Sequence, residues 1–279
     1  MTTTRHAPLA AAFAAAAFLA TAGTAAAAPN LVQNGNFDTL TNGYGQVVVN
    51  SDGTNRTTGS NTRANSTISS ATGWYSTYTA DNQGSPFLFF TNNAVTTGFG
   101  DYWDNDGNKR YLWGQANGGA STWDGTSQSA GGITGGGNYL VMDGGYHPTA
   151  ISQNISGLVV GQTYSLSFLW AAAQWYSNTG DTKDYLSITF DNKTVNTNTL
   201  SIASTGFSGW VAASFNFTYT GASNVLSFLA VGTPAGQPPM SLLDSVSLSA
   251  VPEPASMALL ATAVAGLVTT VRLRRRRTA

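Results

Sequence analysis

In the second half of the chain, large apolar residues alternate with small or polar ones at a spacing of two. Tyr164-Ser165-Leu166-Ser167-Phe168-Leu169-Trp170 is the clearest run, and a strand with one buried face requires that spacing because successive side chains leave on opposite faces. The pattern returns in Tyr185 to Phe190, Val211 to Tyr219, Val225 to Val231 and Ser241 to Ser249. Glycines at 157, 161, 180, 206, 209, 221 and 232 separate the runs. Short strands at close spacing with glycine turns predict an all-β antiparallel jelly-roll sandwich with long loop insertions. The first half is less regular. Trp74 to Tyr78 and Pro86 to Phe90 read as strands, residues 40 to 70 as a polar surface excursion, and residues 114 to 137 as a mobile loop. The glycines from 131 to 137 do not form a phosphate cradle, since no strand leads into them and no helical pattern follows.

Two apolar runs break this pattern, one at each end. Leu9 to Ala20 contains only Leu, Ala and Phe, preceded by Arg5 and followed by small residues at Ala25 to Ala28. A basic start, a short apolar run and an A-x-A exit define a secretory signal peptide, assigned to residues 1–27. The second run follows Val251-Pro252-Glu253-Pro254 and ends at Arg272, Arg274, Arg275, Arg276 and Arg277. Residues 255–271 would reach about 25 Å as a helix, slightly under the roughly 30 Å of a bilayer core, and arginine side chains can snorkel to make up the difference. The arginines predict a cytoplasmic end to this transmembrane helix and an outward-facing body. Pro252 and Pro254 keep the approach extended. The division is therefore 1–27 signal peptide, 28–250 sandwich ectodomain and 251–279 tail.

Charge follows the same division. Residues 28–250 hold six basic and twelve acidic side chains, a net −6 that the arginine tail hides in the whole-chain value of −1. An acidic body excludes a nucleic-acid partner, which needs a basic stripe. There is no cysteine, so an exported fold here depends on burial or a bound cation rather than disulfides. Catalytic machinery is sparse: the body has one histidine, His147, and no glutamate precedes Glu253. Gly206-Phe207-Ser208-Gly209 lacks the spacing of a nucleophile elbow. A non-enzymatic protein is expected.

The candidate chemistry is carboxylate and aromatic. Asp244 shares strand parity with Leu242, Val246 and Leu248, which predicts a core-facing carboxylate that must be paired, hydrogen-bonded or metal-bound. Asp101 to Asn108 looks like an EF-hand loop, but with Gly107 at the sixth position the first is Tyr102, so it reads as a solvated turn. Trp103, Trp113, Trp123 and Trp175, with Tyr111, Tyr146 and Tyr176, lie in loop-like stretches and are candidates for stacking on sugar rings. Trp74, Trp170 and Trp210 read as core.

The Pro-Glu-Pro motif, single apolar span and terminal arginine cluster together resemble the PEP-CTERM sorting signal. The resemblance implies recognition of Pro252, Glu253 and Pro254 by an exosortase-type membrane processing enzyme. It also implies transient anchoring in the inner membrane and delivery to the cell envelope, surface or extracellular matrix. Asn34-Gly35-Asn36-Phe37-Asp38, Ile151 to Leu158, Gly161 to Phe168 and Leu242 to Leu248 resemble PEP-CTERM ectodomains with a galactose-binding-like, carbohydrate-binding-module-like fold. That likeness implies a structural calcium shared by Asp38 and Asp244, although such modules often carry Glu where Asp38 stands. It also implies association with extracellular polysaccharide. The expectation is a non-catalytic matrix or surface protein, with a dedicated lectin as the alternative and a glycoside-active enzyme third.

Overall fold

The computed structural model describes residues 28–40, 45–46, 71–76, 88–91, 112–123, 137–145, 148–237 and 239–252. Outside them lie residues 1–27, expected to be a signal peptide, Trp103 and the rest of the stretch 101–108, Tyr111, Tyr146, His147, Glu253, Pro254, the apolar run 255–271 and the five tail arginines.

Twelve strands are present among the described residues. They are β1 (Gly45–Gln46), β2 (Tyr75–Ser76), β3 (Leu88–Thr91), β4 (Tyr139–Asp143), β5 (Ile151–Asn154), β6 (Thr163–Gln174), β7 (Thr182–Phe190), β8 (Lys193–Asn196), β9 (Leu200–Ile202), β10 (Val211–Thr218), β11 (Val225–Thr233) and β12 (Pro239–Ala250). The five alternating runs of the second half are all strands, and the two expected in the first half correspond to β2 and β3. One sheet has the order β1-β3-β4-β12-β6-β10; the other runs β2-β5-β11-β7-β8, with β9 also on β7. Every pairing is antiparallel. From β4 to β7 consecutive strands alternate between sheets, which gives the all-β jelly-roll sandwich.

Between the sheets, Leu140, Met142, Leu166, Phe168 and Trp170 meet Leu186, Ile188, Phe190, Leu226 and Phe228. The first sheet is also covered on its outer face. Leu112, Trp123 and Trp210 pack there on Tyr139, Val141, Leu169, Ala171, Ala173, Met240 and Leu242. This cover explains the sequence of β6. Its first half is buried on one face and alternates with serine; from Phe168 to Gln174 every residue is buried, and Ala171-Ala172-Ala173 leaves room for the covering segment. Residues 112–123 are therefore packed structure, with Leu112 bridging to Trp175, and not the first part of a loose loop.

The parity expected for Asp244 is corrected. A bulge between Asp244 and Ser247 shifts the register against β6, so Asp244 stands opposite Leu169 and Ser247 opposite Ser167. The extra residue breaks the two-residue period. Leu243, Val246 and Leu248 join the inter-sheet core, while Leu242 belongs to the outer cluster. Asp244 shares the outer face with Leu242, and the Asp244–Val246 parity match holds only for an unbroken strand.

Candidate functional site

The N-terminal segment reaches Asp244 through backbone contacts. Where β4 stops pairing with β12, residues 30–35 take over: Leu31 N–H donates to Leu248 O at 2.8 Å and Val246 N–H to Gly35 O at 2.9 Å. A Cβ on Gly35 would sit 2.0 Å from Val246 O, so only glycine allows this approach. Asn34 and Phe37 have positive φ, at 49° and 56°, and Asn34 holds its bend by exchanging hydrogen bonds with Thr39. The bend buries Phe37 5.2 Å from the Trp74 ring. It also delivers Asp38 to the start of β4, where Asn138 N–H donates to Asp38 Oδ1 at 2.9 Å and Asn138 Nδ2 to Phe37 O at 3.0 Å. Asn36 Nδ2 donates to Asp38 Oδ2.

Continuing the β4–β12 register places Asn138 opposite Ser245. Asp38 thus lies at the start of β4, and Asp244 lies beside the bulge of β12, the strand that pairs with β4. Asp38 is exposed and Asp244 is 5 % exposed. Ser245 N–H donates to Asp244 Oδ1 at 2.6 Å, with Ser245 at φ 54°. A carboxylate has about four lone-pair sites, so it can combine hydrogen bonds with a cation contact. Two carboxylates flanked by main-chain carbonyls are the oxygen-only donors that suit Ca²⁺, so the residues fit in kind. Among the described residues no group of three or more His, Cys, Asp or Glu converges.

The predicted stacking tryptophans separate by burial. Trp123 is 7 % exposed, and its ring lies 4.1 Å from Phe207 at 10°, so that face is taken by protein. Trp113 and Trp175 are both half-buried, and Trp175 stands opposite Leu112 in an isolated bridge. Trp113 Nε1–H donates to Asn178 O at 2.6 Å, and its ring lies 4.6 Å from Tyr176. Trp113 and Tyr176 thus form a half-buried aromatic pair at the end of the sandwich where β6 finishes, while Trp175 packs against the outer cluster.

Below the same end lies a group that the sequence reading did not single out. Asp184 on β7 is 0 % exposed. Ser241 Oγ donates to its Oδ1 at 3.3 Å, while Oδ2 has no partner. Added Cβ atoms on Gly232 and Gly144 would stand 2.8 and 3.2 Å from Oδ1, so both glycines line the carboxyl. Desolvation raises its pKa to about 8; the Ser241 hydrogen bond opposes the rise and the nearby Asp143 adds to it. At neutral pH Asp184 is mostly a neutral acid. At the other end, Asp191 in the β7–β8 turn accepts from Thr220 N and Oγ1 at 2.7 Å, Ala222 N at 2.8 Å and Ser223 N at 3.2 Å. Desolvation works to raise its pKa, but these donors outweigh it and hold the value down to about 2.

The chain leaves the fold beside Asp191. Val251 N–H donates to Thr163 O at 2.9 Å, Gln162 Nε2 donates to Val251 O at 2.9 Å, and Pro252 is exposed. Among the described residues no helix is long and apolar enough to cross a membrane.

Comparison with known proteins bears on both parts of this chain. The family model described as "PEP-CTERM protein-sorting motif" matches residues 250–277. No curated protein matches the chain. Among solved structures, a family 16 carbohydrate-binding module is 16 % identical at TM-score 0.26, covering 41 % of this chain and 77 % of that one. A CBM4 structure is 19 % identical at TM-score 0.25, covering 51 % and 87 %. The CBM22-1 xylan-binding domain of Paenibacillus barcinonensis Xyn10C is 11 % identical at TM-score 0.29, covering 45 % and 80 %. Scores this low carry no argument about a ligand, and the sandwich rests on its own strand order. The chain is an antiparallel β-sandwich carrying a PEP-CTERM protein-sorting motif at residues 250–277.

Proposed function

We propose that this is a non-catalytic exported protein of the cell envelope or extracellular matrix. Its tail delivers it there, and its body associates with extracellular polysaccharide. The observation that carries the reading is the position of the sorting motif, which begins at the last residue of β12, Ala250. The folded body therefore ends where the processing signal starts, and Pro252 stands exposed as the approach to Glu253 and Pro254. An exosortase-type enzyme is the partner for those three residues. The run 255–271 crosses the inner membrane until processing, with the five arginines inside.

The polysaccharide contact falls to Trp113 and Tyr176, because half-buried rings held in a fixed pair offer apolar faces at little ordering cost. That pair also supports a dedicated lectin as the second reading. The non-catalytic assignment is supported by the setting of Asp184. That carboxyl is fully buried behind Gly144, Gly232 and Ser241. We further propose that Asp38 and Asp244 share a structural Ca²⁺, which would tie the N-terminal segment to the last strand.

The deciding measurement is the intact mass and location of the native protein. A chain trimmed near Glu253 and recovered in the envelope or matrix fits the proposal. A full-length chain in the cytosol removes it, as does unchanged delivery after deletion of residues 253–279. Retention on extracted exopolysaccharide should fall for Trp113→Ala and Tyr176→Ala. Binding of one defined glycan on an array, with little retention on the bulk polymer, would favour the lectin.

A further inference from the structure

We propose that the β5–β6 turn, with Val159 and Val160 at its tip, is a membrane-contacting surface that seats the exit end of the sandwich on the lipid headgroup layer while the tail is anchored. The inference rests on the reading of residues 255–271 as a membrane span. Val159 is 62 % and Val160 66 % exposed. Among the described residues the only other large hydrophobic counted as exposed is Val211, at 37 %. Isolated exposed apolar residues need no explanation, but these two are adjacent and occupy the tip of a pinned turn.

Gln162 N–H donates back to Val159 O at 3.1 Å around Gly161, whose φ is 87°. Gly161 N–H donates to Tyr219 O at 2.8 Å, and the Tyr164 hydroxyl accepts from Val159 N–H at 2.8 Å. The turn thus presents both side chains in a fixed pose. The residue after the turn, Gln162, is the one that binds Val251 O, so the valines and the tail leave the body side by side.

Only residues 252–254 separate Val251 from the start of the apolar run at Ala255. Even fully extended, the four steps from Val251 to Ala255 span at most about 14 Å. A body tethered that closely has its exit end against the headgroups. The charges at this end suit a lipid surface. Lys193 is exposed, with Nζ 3.2 Å from Thr218 O. The one acid among the described residues at this end, Asp191, is buried in its four hydrogen bonds. Exposed acids lie elsewhere: Asp181 is at the opposite end and Asp38 at the β4 junction. Apolar tips beside a cation are the elements of interfacial seating.

The chain has no cysteine, so single-site labelling tests this directly. Val160→Cys, Ala235→Cys at the opposite end and Ala263→Cys in the apolar run would each carry a polarity-sensitive fluorophore. The unprocessed full chain would be reconstituted in vesicles of phosphatidylcholine and phosphatidylglycerol, with and without nitroxide-bearing lipids. The expected result is blue-shifted, nitroxide-quenched emission at 160 and 263, and water-like, unquenched emission at 235. A lipid-buried 263 with a water-like 160 overturns the proposal and leaves the anchoring reading intact. A water-like 263 removes the anchoring reading and this proposal with it. A label at 160 shielded only after addition of membranes holding the processing enzyme overturns the lipid assignment and gives the surface to that enzyme.

Discussion

Replacing Asp184 by Asn should remove most of the pH dependence of folding. In the folded body this carboxyl is held near pKa 8 by desolvation, whereas an unfolded aspartate titrates near 3.9. Between those values the folded state keeps a proton that the unfolded state has released. Stability contributed this way is full below about pH 4 and declines by about 1.4 kcal/mol per pH unit until the folded carboxyl itself ionises. The whole window is worth on the order of 5 kcal/mol, which is comparable to the total stability of many domains. Asn cannot ionise, keeps the acceptor for Ser241 Oγ and places an amide where Oδ2 already lacks a partner. The substitution should therefore be nearly neutral below about pH 4, stabilising by about 1.5 kcal/mol at pH 5, and strongly stabilising at pH 9. Urea unfolding of residues 28–252 at pH 5, 7 and 9, followed by tryptophan fluorescence, measures both lines. Parallel lines for wild type and Asp184→Asn would show that the carboxyl is charged or solvated in the fold, and the closed setting assigned to it would be wrong.

Gly35→Ala should destabilise the body by at least about 1–3 kcal/mol, read as a lower melting temperature, because its Cβ would fall 2.0 Å from Val246 O. Asp191→Ala should loosen the loop from Thr220 to Ser223 and raise hydrogen exchange at those amides. The stability Asp191 supplies is present above the ordinary aspartate pKa and lost as pH falls through about 2, so only wild type should weaken between pH 4 and 2 through this residue. Ca²⁺ should raise the melting temperature of wild type but not of Asp244→Ala in differential scanning calorimetry. An equal response in both, or none in either, would remove the calcium proposal.

The parts legible in the sequence were those where one face of a strand is buried and the other is wet. Runs such as Tyr164 to Phe168 announce themselves because the wetter positions hold Ser165 and Ser167 while the buried ones hold Tyr164, Leu166 and Phe168. β4 gave no such signal: Tyr139-Leu140-Val141-Met142-Asp143 is buried on both faces, and a continuous apolar run has no period to read. The outer cover of Trp123 and Trp210 was illegible for the same reason, since nothing local tells which loop folds back over a sheet. The burial of Asp244 was legible, but its facing was lost at the bulge, where one extra residue reverses the pleat. Asp184 was within reach. It shares parity with Leu186, Ile188 and Phe190 in β7, and the argument applied to Asp244 would have singled it out where no bulge intervenes.

One strand ties these features into a direction. β6 begins at Thr163, whose carbonyl receives Val251 N–H at the tail exit, and ends at Gln174, shortly before Tyr176 of the aromatic pair. Eleven residue steps at about 3.3 Å place the two ends roughly 35 Å apart. The exit end carries the exposed valines, Lys193 and a fully engaged Asp191; the opposite end carries Trp113, Trp175, Tyr176 and Asp181. On the proposed function, a tether at Val251 keeps the exit end next to the attachment and carries Trp113 and Tyr176 to the far side. Moving the tether to the opposite end by circular permutation would leave both surfaces intact but exchange their positions. Loss of polysaccharide retention at the cell surface, with retention by the soluble body unchanged, is the outcome that this geometry requires.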